Sequence, residues 1–143
     1  MIERHLNKIS RPLLDRMDIC VEVSRPALWE LTNGRPEESS ELIRSRVART
    51  QTIQRERFAG SEILYNSQIP PSAIMDWCAM ETEGEKLLSE SFERLELTAR
   101  GYYRVLRVAR TIADMEGAAK IGRQHICECL LYRSIDRKVW DWE

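Results

Sequence analysis

The stretch Leu97 to Gly117, LTARGYYRVLRVARTIADMEG, limits what this chain can fold into more than any other. Its apolar residues recur every three or four positions rather than alternating, the pattern of a helix with one buried face. At about 100° per residue, Tyr102, Val105, Leu106, Ala109, Ile112 and Ala113 share an arc of roughly 120°. Thr98 suits the N-cap, Leu97 and Tyr102 stand where a hydrophobic staple would put them, and Gly117 is a natural terminator. A stripe this wide needs other helices to cover it.

The flanking sequence supplies them. Ser72 to Cys78 reads as a short helix after the Pro70-Pro71 stop. Thr82 and Glu85 form a capping box, and the helix they open runs to about Leu95, burying Leu87, Leu88, Ser91, Phe92 and Leu95. A last helix from about Arg123 to Arg133 buries Ile126, Cys129 and Leu130. With short connections between them, these helices predict a small bundle, so the fold class is all-α.

Upstream the pattern changes. Ser39 or Ser40 caps a helix to about Phe58, with Ile43, Val47, Thr50 and Ile53 on one side. Earlier still, Ile19, Val21 and Val23 alternate with Cys20 and Glu22, the period of a strand, and Pro12 and Pro26 bracket them. No second convincing strand follows. A lone strand has nothing to pair with, so residues 1–25 read as the remnant of a sheet domain, expected to lie loose or to pair with another copy. Residues 26–71 then form a linker and connecting helix, and 72–143 the helical bundle.

The central helix carries four arginines, and their placement is a puzzle. Arg100, Arg104 and Arg107 lie within about 60° of one another opposite the apolar stripe, with Arg110 on a flank. Arginines on an outer face are commonly solvated. Arg100, however, is the second residue after the Thr98 cap, where the helix dipole disfavours a cation by about 0.3–1 kcal/mol. The same helix end offers unpaired N–H groups to an anion, and a guanidinium beside them can hold a phosphate in bidentate fashion. Either the small penalty is tolerated or a phosphate visits.

Other chemistries find little support. The net charge of −1 gives no bulk attraction to nucleic acid or membrane, so any basic site must be local. No apolar run approaches the roughly 18 residues of a membrane span, and MIERHLNKIS lacks a signal peptide's apolar stretch; the cytoplasm is the expected compartment, with no membrane partner. His125, Cys127 and Cys129 crowd into HICEC without a second ligand pair, which argues for thiols on a helix rather than a metal site. His125 is expected at the surface or half-buried. His5 is isolated, and no nucleophile spacing surrounds either histidine.

Taken in order, ISRPLLDRMDICVEV, SSELIRSRV, the arginine helix and HICECLLYRSIDRKVW resemble the C-terminal part of the magnesium-chelatase-like AAA+ ATPases, the ComM/YifB group. More distantly, the arginine helix is similar to its counterpart in the replicative MCM helicases. The resemblance implies an AAA+ C-terminal lid preceded by a helix and an orphan strand of the AAA+ core. It implies that Arg16, closing PLLDR, is an arginine finger acting in trans on a neighbouring subunit's nucleotide. It makes Arg100 the sensor-2 contact to the ATP γ-phosphate, with Arg104 and Arg107 as further candidates at the cofactor. One departure stands out: Ser10, Arg11 and Pro12 replace the usual Ser-Gly-Pro, and losing that glycine removes backbone freedom before the finger.

The sequence holds no G-x-x-x-x-G-K-[ST] phosphate loop and no acidic strand end like Walker B. The chain alone is therefore not expected to hydrolyse ATP. The resemblance implies that ATP and Mg²⁺ are bound by the intact protein, that the partners are an N-terminal AAA+ core and neighbouring ring subunits, and that the ring works in DNA processing. Two other readings stay open on the residues themselves. One is a stand-alone helical nucleic-acid-binding module using the arginine face with Arg133, Arg137 and Lys138. The other is a protein-interaction module anchored by Trp140 and Trp142.

Overall fold

The computed structural model describes residues 16–21, 23–28, 32 and 38–132. His5, the segment Pro12–Asp15, Arg133, Arg137, Lys138, Trp140 and Trp142 lie outside the described residues. The elements run in the order α1 (Ser40–Arg57), a 3-10 turn (Asn66–Gln68), a second (Pro71–Ala73), α2 (Ile74–Trp77), α3 (Thr82–Arg94), α4 (Ala99–Glu116) and α5 (Arg123–Leu131). Among the described residues there is no strand, only an isolated parallel bridge between Met80 and Ile121.

The helix α4 is the axis of the bundle. It packs against α1, α2, α5 and the turn at Asn66–Gln68, while α3 closes on α5. Its apolar stripe is buried as the periodicity predicts: Val105, Leu106, Ala109 and Ala113 are inaccessible to solvent, and Ile69, Ile74, Leu88, Ile121 and Ile126 complete the core around them. Both ends of α4 follow local rules. The Thr98 hydroxyl accepts from the Gly101 N–H at 3.0 Å, and Gly117 closes the helix at φ 75°, a left-handed conformation that glycine adopts without a Cβ penalty.

A tight approach sets how α3 and α5 meet. The Glu81 N–H donates to the Ile121 carbonyl at 2.9 Å, and the Ile121 N–H donates to Ala79 at 2.9 Å. These bonds bring the chain before α5 so close to α3 that a Cβ at Gly84 would sit 3.0 Å from the Ile121 oxygen. The same anchoring makes Glu81, not Thr82, the N-cap of α3; Thr82 is already helical and no capping box with Glu85 forms.

Two further expectations are corrected. Among the described residues no core covers the outward half of α1: Ile43 and Val47 are 43% and 45% exposed, while Thr50 and Gln54 are the buried residues of that helix. Among the described residues the alternation at Ile19, Val21 and Val23 gives no strand, and no neighbouring strand lies beside it; all three side chains are exposed. Nor does this segment stand apart from the bundle. The Cys20 N–H donates to the Tyr132 carbonyl at 3.0 Å, next to the end of α5.

Candidate functional site

The arginines of α4 divide by what they touch. Arg110 is fully buried, contrary to its placement on a flank. Its Nε donates to the Asp114 carboxylate at 3.0 Å, and its two Nη groups donate to the carbonyls of Ala118 and Ala119. Burial lowers its pKa and the Asp114 charge opposes that shift. Arg107 lies half-buried and donates twice to the Ile69 carbonyl, at 3.0 Å and 2.6 Å. Arg104 is buried, with Nη1 donating to the Met17 carbonyl at 2.8 Å and Nε 2.8 Å from the Asp18 carboxylate. Neither Arg104 nor Arg107 is a solvated outer-face residue, because a long side chain can bend from its Cβ direction to reach carbonyls that no helical projection shows.

Arg100 differs from the other three. It is exposed and has no hydrogen-bond or ion-pair partner among the described residues. It stands beside the backbone N–H groups of Ala99 and Arg100, which precede the first capped amide, Gly101, and have no acceptor within the helix. An exposed cation and two free donors therefore face outward at one helix end. Arg16 is also exposed, and it immediately precedes the Met17–Asp18 pair that Arg104 holds.

Next to this helix end lies an open hollow of about 570 Å³, lined by Met75, Met80, Phe92, Tyr102 and Tyr103 with Glu85 at its side. Phe92 meets Tyr102 edge-on with centroids 5.9 Å apart, and Tyr102 meets Tyr103 likewise at 5.8 Å. Burial, with the Glu85 charge adding to it, raises the Tyr102 pKa. The hollow is mostly apolar and Arg100 does not line it.

The histidine and cysteines of the last helix have structural surroundings. His125 is buried rather than at the surface. Its Nδ1 accepts from the Gly122 N–H at 2.8 Å, which places the ring proton on Nε2, 2.8 Å from the Glu116 carboxylate. Cys129 is buried and its thiol points to the Val105 carbonyl at 3.5 Å, whereas Cys127 is exposed. Among the described residues no group of three His, Cys, Asp or Glu side chains could hold a metal ion. Burial pushes the Cys78 thiol up to about 11. Iodoacetamide at about pH 8 should therefore label Cys127 of the native chain quickly, with Cys78 and Cys129 labelled only after denaturation. Mass spectrometry of the labelled peptides checks this, and native Cys78 reacting as fast as Cys127 would contradict the core described above.

The arginine helix, its cap and the helices around it have known relatives. The family described as "Magnesium chelatase, subunit ChlI C-terminal" matches residues 37–133. The chain belongs to this magnesium chelatase C-terminal family. Competence protein ComM of Haemophilus influenzae is 36% identical over 137 residues, which is 95% of this chain and 26% of ComM. YifB of Salmonella typhimurium is 35% identical over 135 residues, 94% of this chain and 26% of YifB. A Mycobacterium bovis protein, Mb2921c, is 28% identical over 132 residues, again 26% of its length. The chain thus spans about a quarter of the length of the curated relatives it matches. The family match takes in α1 as well as α2 to α5, in keeping with a core that Phe58 and Ile69 share with α4. Among the described residues, no helix is long and apolar enough to cross a membrane.

Proposed function

We propose that this chain is the C-terminal lid of a ring-forming, magnesium-chelatase-like AAA+ ATPase of the cytoplasm. In the intact protein the lid couples ATP binding and hydrolysis to DNA processing. Arg100 is the sensor-2 residue, Arg16 the arginine finger acting on a neighbouring subunit, and the N-terminal AAA+ core supplies the rest of the nucleotide site. The observation that carries this reading is the state of Arg100. Among the described residues it is the arginine of α4 left exposed and without a partner, beside amides with no acceptor in the helix, while Arg104, Arg107 and Arg110 are bound to protein atoms. A guanidinium with helix N–H groups fits the oxygens of a terminal phosphate. Bound ATP with Mg²⁺ would supply the phosphoryl group to be transferred, and Arg100 would orient and stabilise its charge.

The arrangement also weakens the reading of α4 as a stand-alone nucleic-acid surface. Such a surface needs several free cations on one face, and Arg104 and Arg107 already donate to protein carbonyls. Arg104 and Arg107 are accordingly structural in this reading and not direct contacts to nucleotide.

A chimera tests the proposal: this chain replaces the matching quarter of Haemophilus influenzae ComM, and ATP turnover is measured. The chimera should hydrolyse ATP, and Arg100→Ala should cut turnover by about ten-fold or more without lowering thermal stability. Unchanged turnover in the variant, or a folded chimera that does not hydrolyse ATP, would overturn the assignment.

A further inference from the structure

The buried Arg104 guanidinium is turned toward the N-terminal segment at Met17 and Asp18. It lies one turn beyond Arg100 on α4 and reaches back 87 positions in the chain to Met17. Its side chain is only 8% exposed, and its acceptors include the Met17 carbonyl and the Asp18 carboxylate, both at 2.8 Å. Two acceptors on consecutive residues, met by a planar donor, fix the orientation of that backbone as well as its position. The residue next to them is Arg16. A second tie, Cys20 N–H to Tyr132 carbonyl, stops the segment from pivoting about the first.

We propose that Arg104 is a positioning residue that couples the finger to the sensor helix: it clamps the segment bearing Arg16 to the same turns of α4 that present Arg100. This rests on the reading of Arg16 and Arg100 given above. A rigid helix that carries Arg100 to a nucleotide then also sets where Arg16 reaches the neighbour's. The link works in both directions, since any free energy that nucleotide contact at one site lends to a clamped geometry must appear at the other. A buried guanidinium also cannot lose its acceptors cheaply, so the clamp favours one discrete docked position of the segment over a range of loose ones. The predicted loose segment at residues 1–25 is thus held, over Met17 to Cys20, by residues of the bundle itself.

Two measurements test the clamp. In the 143-residue chain, Asp18→Asn and Arg104→Gln should each speed amide exchange at Cys20 by about ten-fold or more, with the Gly101 amide, capped by Thr98, unchanged. Unchanged exchange at Cys20 would show that Arg104 does not hold the segment. In the ComM chimera, Arg104→Gln should lower kcat and leave KM for ATP unchanged, with Arg104→Lys intermediate. Mixed with subunits disabled in their own phosphate loop, Arg104→Gln subunits should regain turnover as Arg16→Ala subunits do, because the disabled subunits still lend an intact finger. If Arg16→Ala is rescued by mixing and Arg104→Gln is not, Arg104 supports only its own subunit and the coupling proposal fails. If Arg16→Ala itself leaves turnover intact, the finger assignment beneath it fails instead.

Discussion

Replacing Asp114 by alanine should lower the thermal midpoint of this chain by roughly 10–15 °C, the scale of a broken buried ion pair worth about 3–5 kcal/mol. Asp114 has no exposed side-chain surface. Its carboxylate accepts from both Nη groups of Arg57, from Arg110 Nε at 3.0 Å and from Asn66 Nδ2 at 2.8 Å. One carboxylate thus joins α1, the turn at Asn66 and α4. Removing it leaves two guanidiniums and an amide aimed at a void, and the positive charges then face each other without an acceptor between them. The carbonyls of Ala118 and Ala119 still serve Arg110, which limits the loss but does not neutralise the charge. Removing charge from both sides should cost less than removing it from one, so Asp114→Leu combined with Arg110→Met should melt above Asp114→Ala. Circular dichroism melts decide the matter; a drop of under about 3 °C for Asp114→Ala would mean that the junction contributes little.

Asp114 and Arg110 also show where sequence reasoning reaches and where it stops. Their spacing of four on a helix reads equally well as a solvated pair on an outer flank. The caps of α4 were legible because they are local: Thr98 bonds three residues on, and Gly117 needs only its own φ. The apolar stripe was legible because its period identifies a buried face whatever covers it. The contacts of Arg104 and Arg107 were not, since their acceptors lie 87 and 38 positions away and belong to a segment and a turn whose docking no spacing encodes. The start of α3 was misplaced by one residue because the bonds of Ala79 and Glu81 to Ile121 fix it, and those are tertiary. The alternation at Ile19 to Val23 has the period of a strand, but a strand also requires a neighbour, and spacing along one segment does not supply one. At the candidate site, the position of Arg100 at a helix start came from the sequence; that it alone of the α4 arginines lacks a protein partner among the described residues came from the structure.

The same distinction yields a second large effect, at a pair of apolar residues that look alike in the sequence. Leu106 and Val47 each lie on the apolar side of a helix as periodicity draws it. In the fold Leu106 is fully enclosed, whereas Val47 is 45% exposed on the outward half of α1. Leu106→Ala should destabilise the chain by about 2–5 kcal/mol, the lost transfer free energy plus the cavity left where α4 meets its neighbours. Val47→Ala should fall within about 0.5 kcal/mol of the parent, because an exposed site forms no cavity and alanine has the better helix propensity. Urea unfolding monitored by circular dichroism measures both. The order of the two decides which helix face the bundle uses as its core: if Val47→Ala loses as much as Leu106→Ala, then the outward half of α1 is covered in the folded chain.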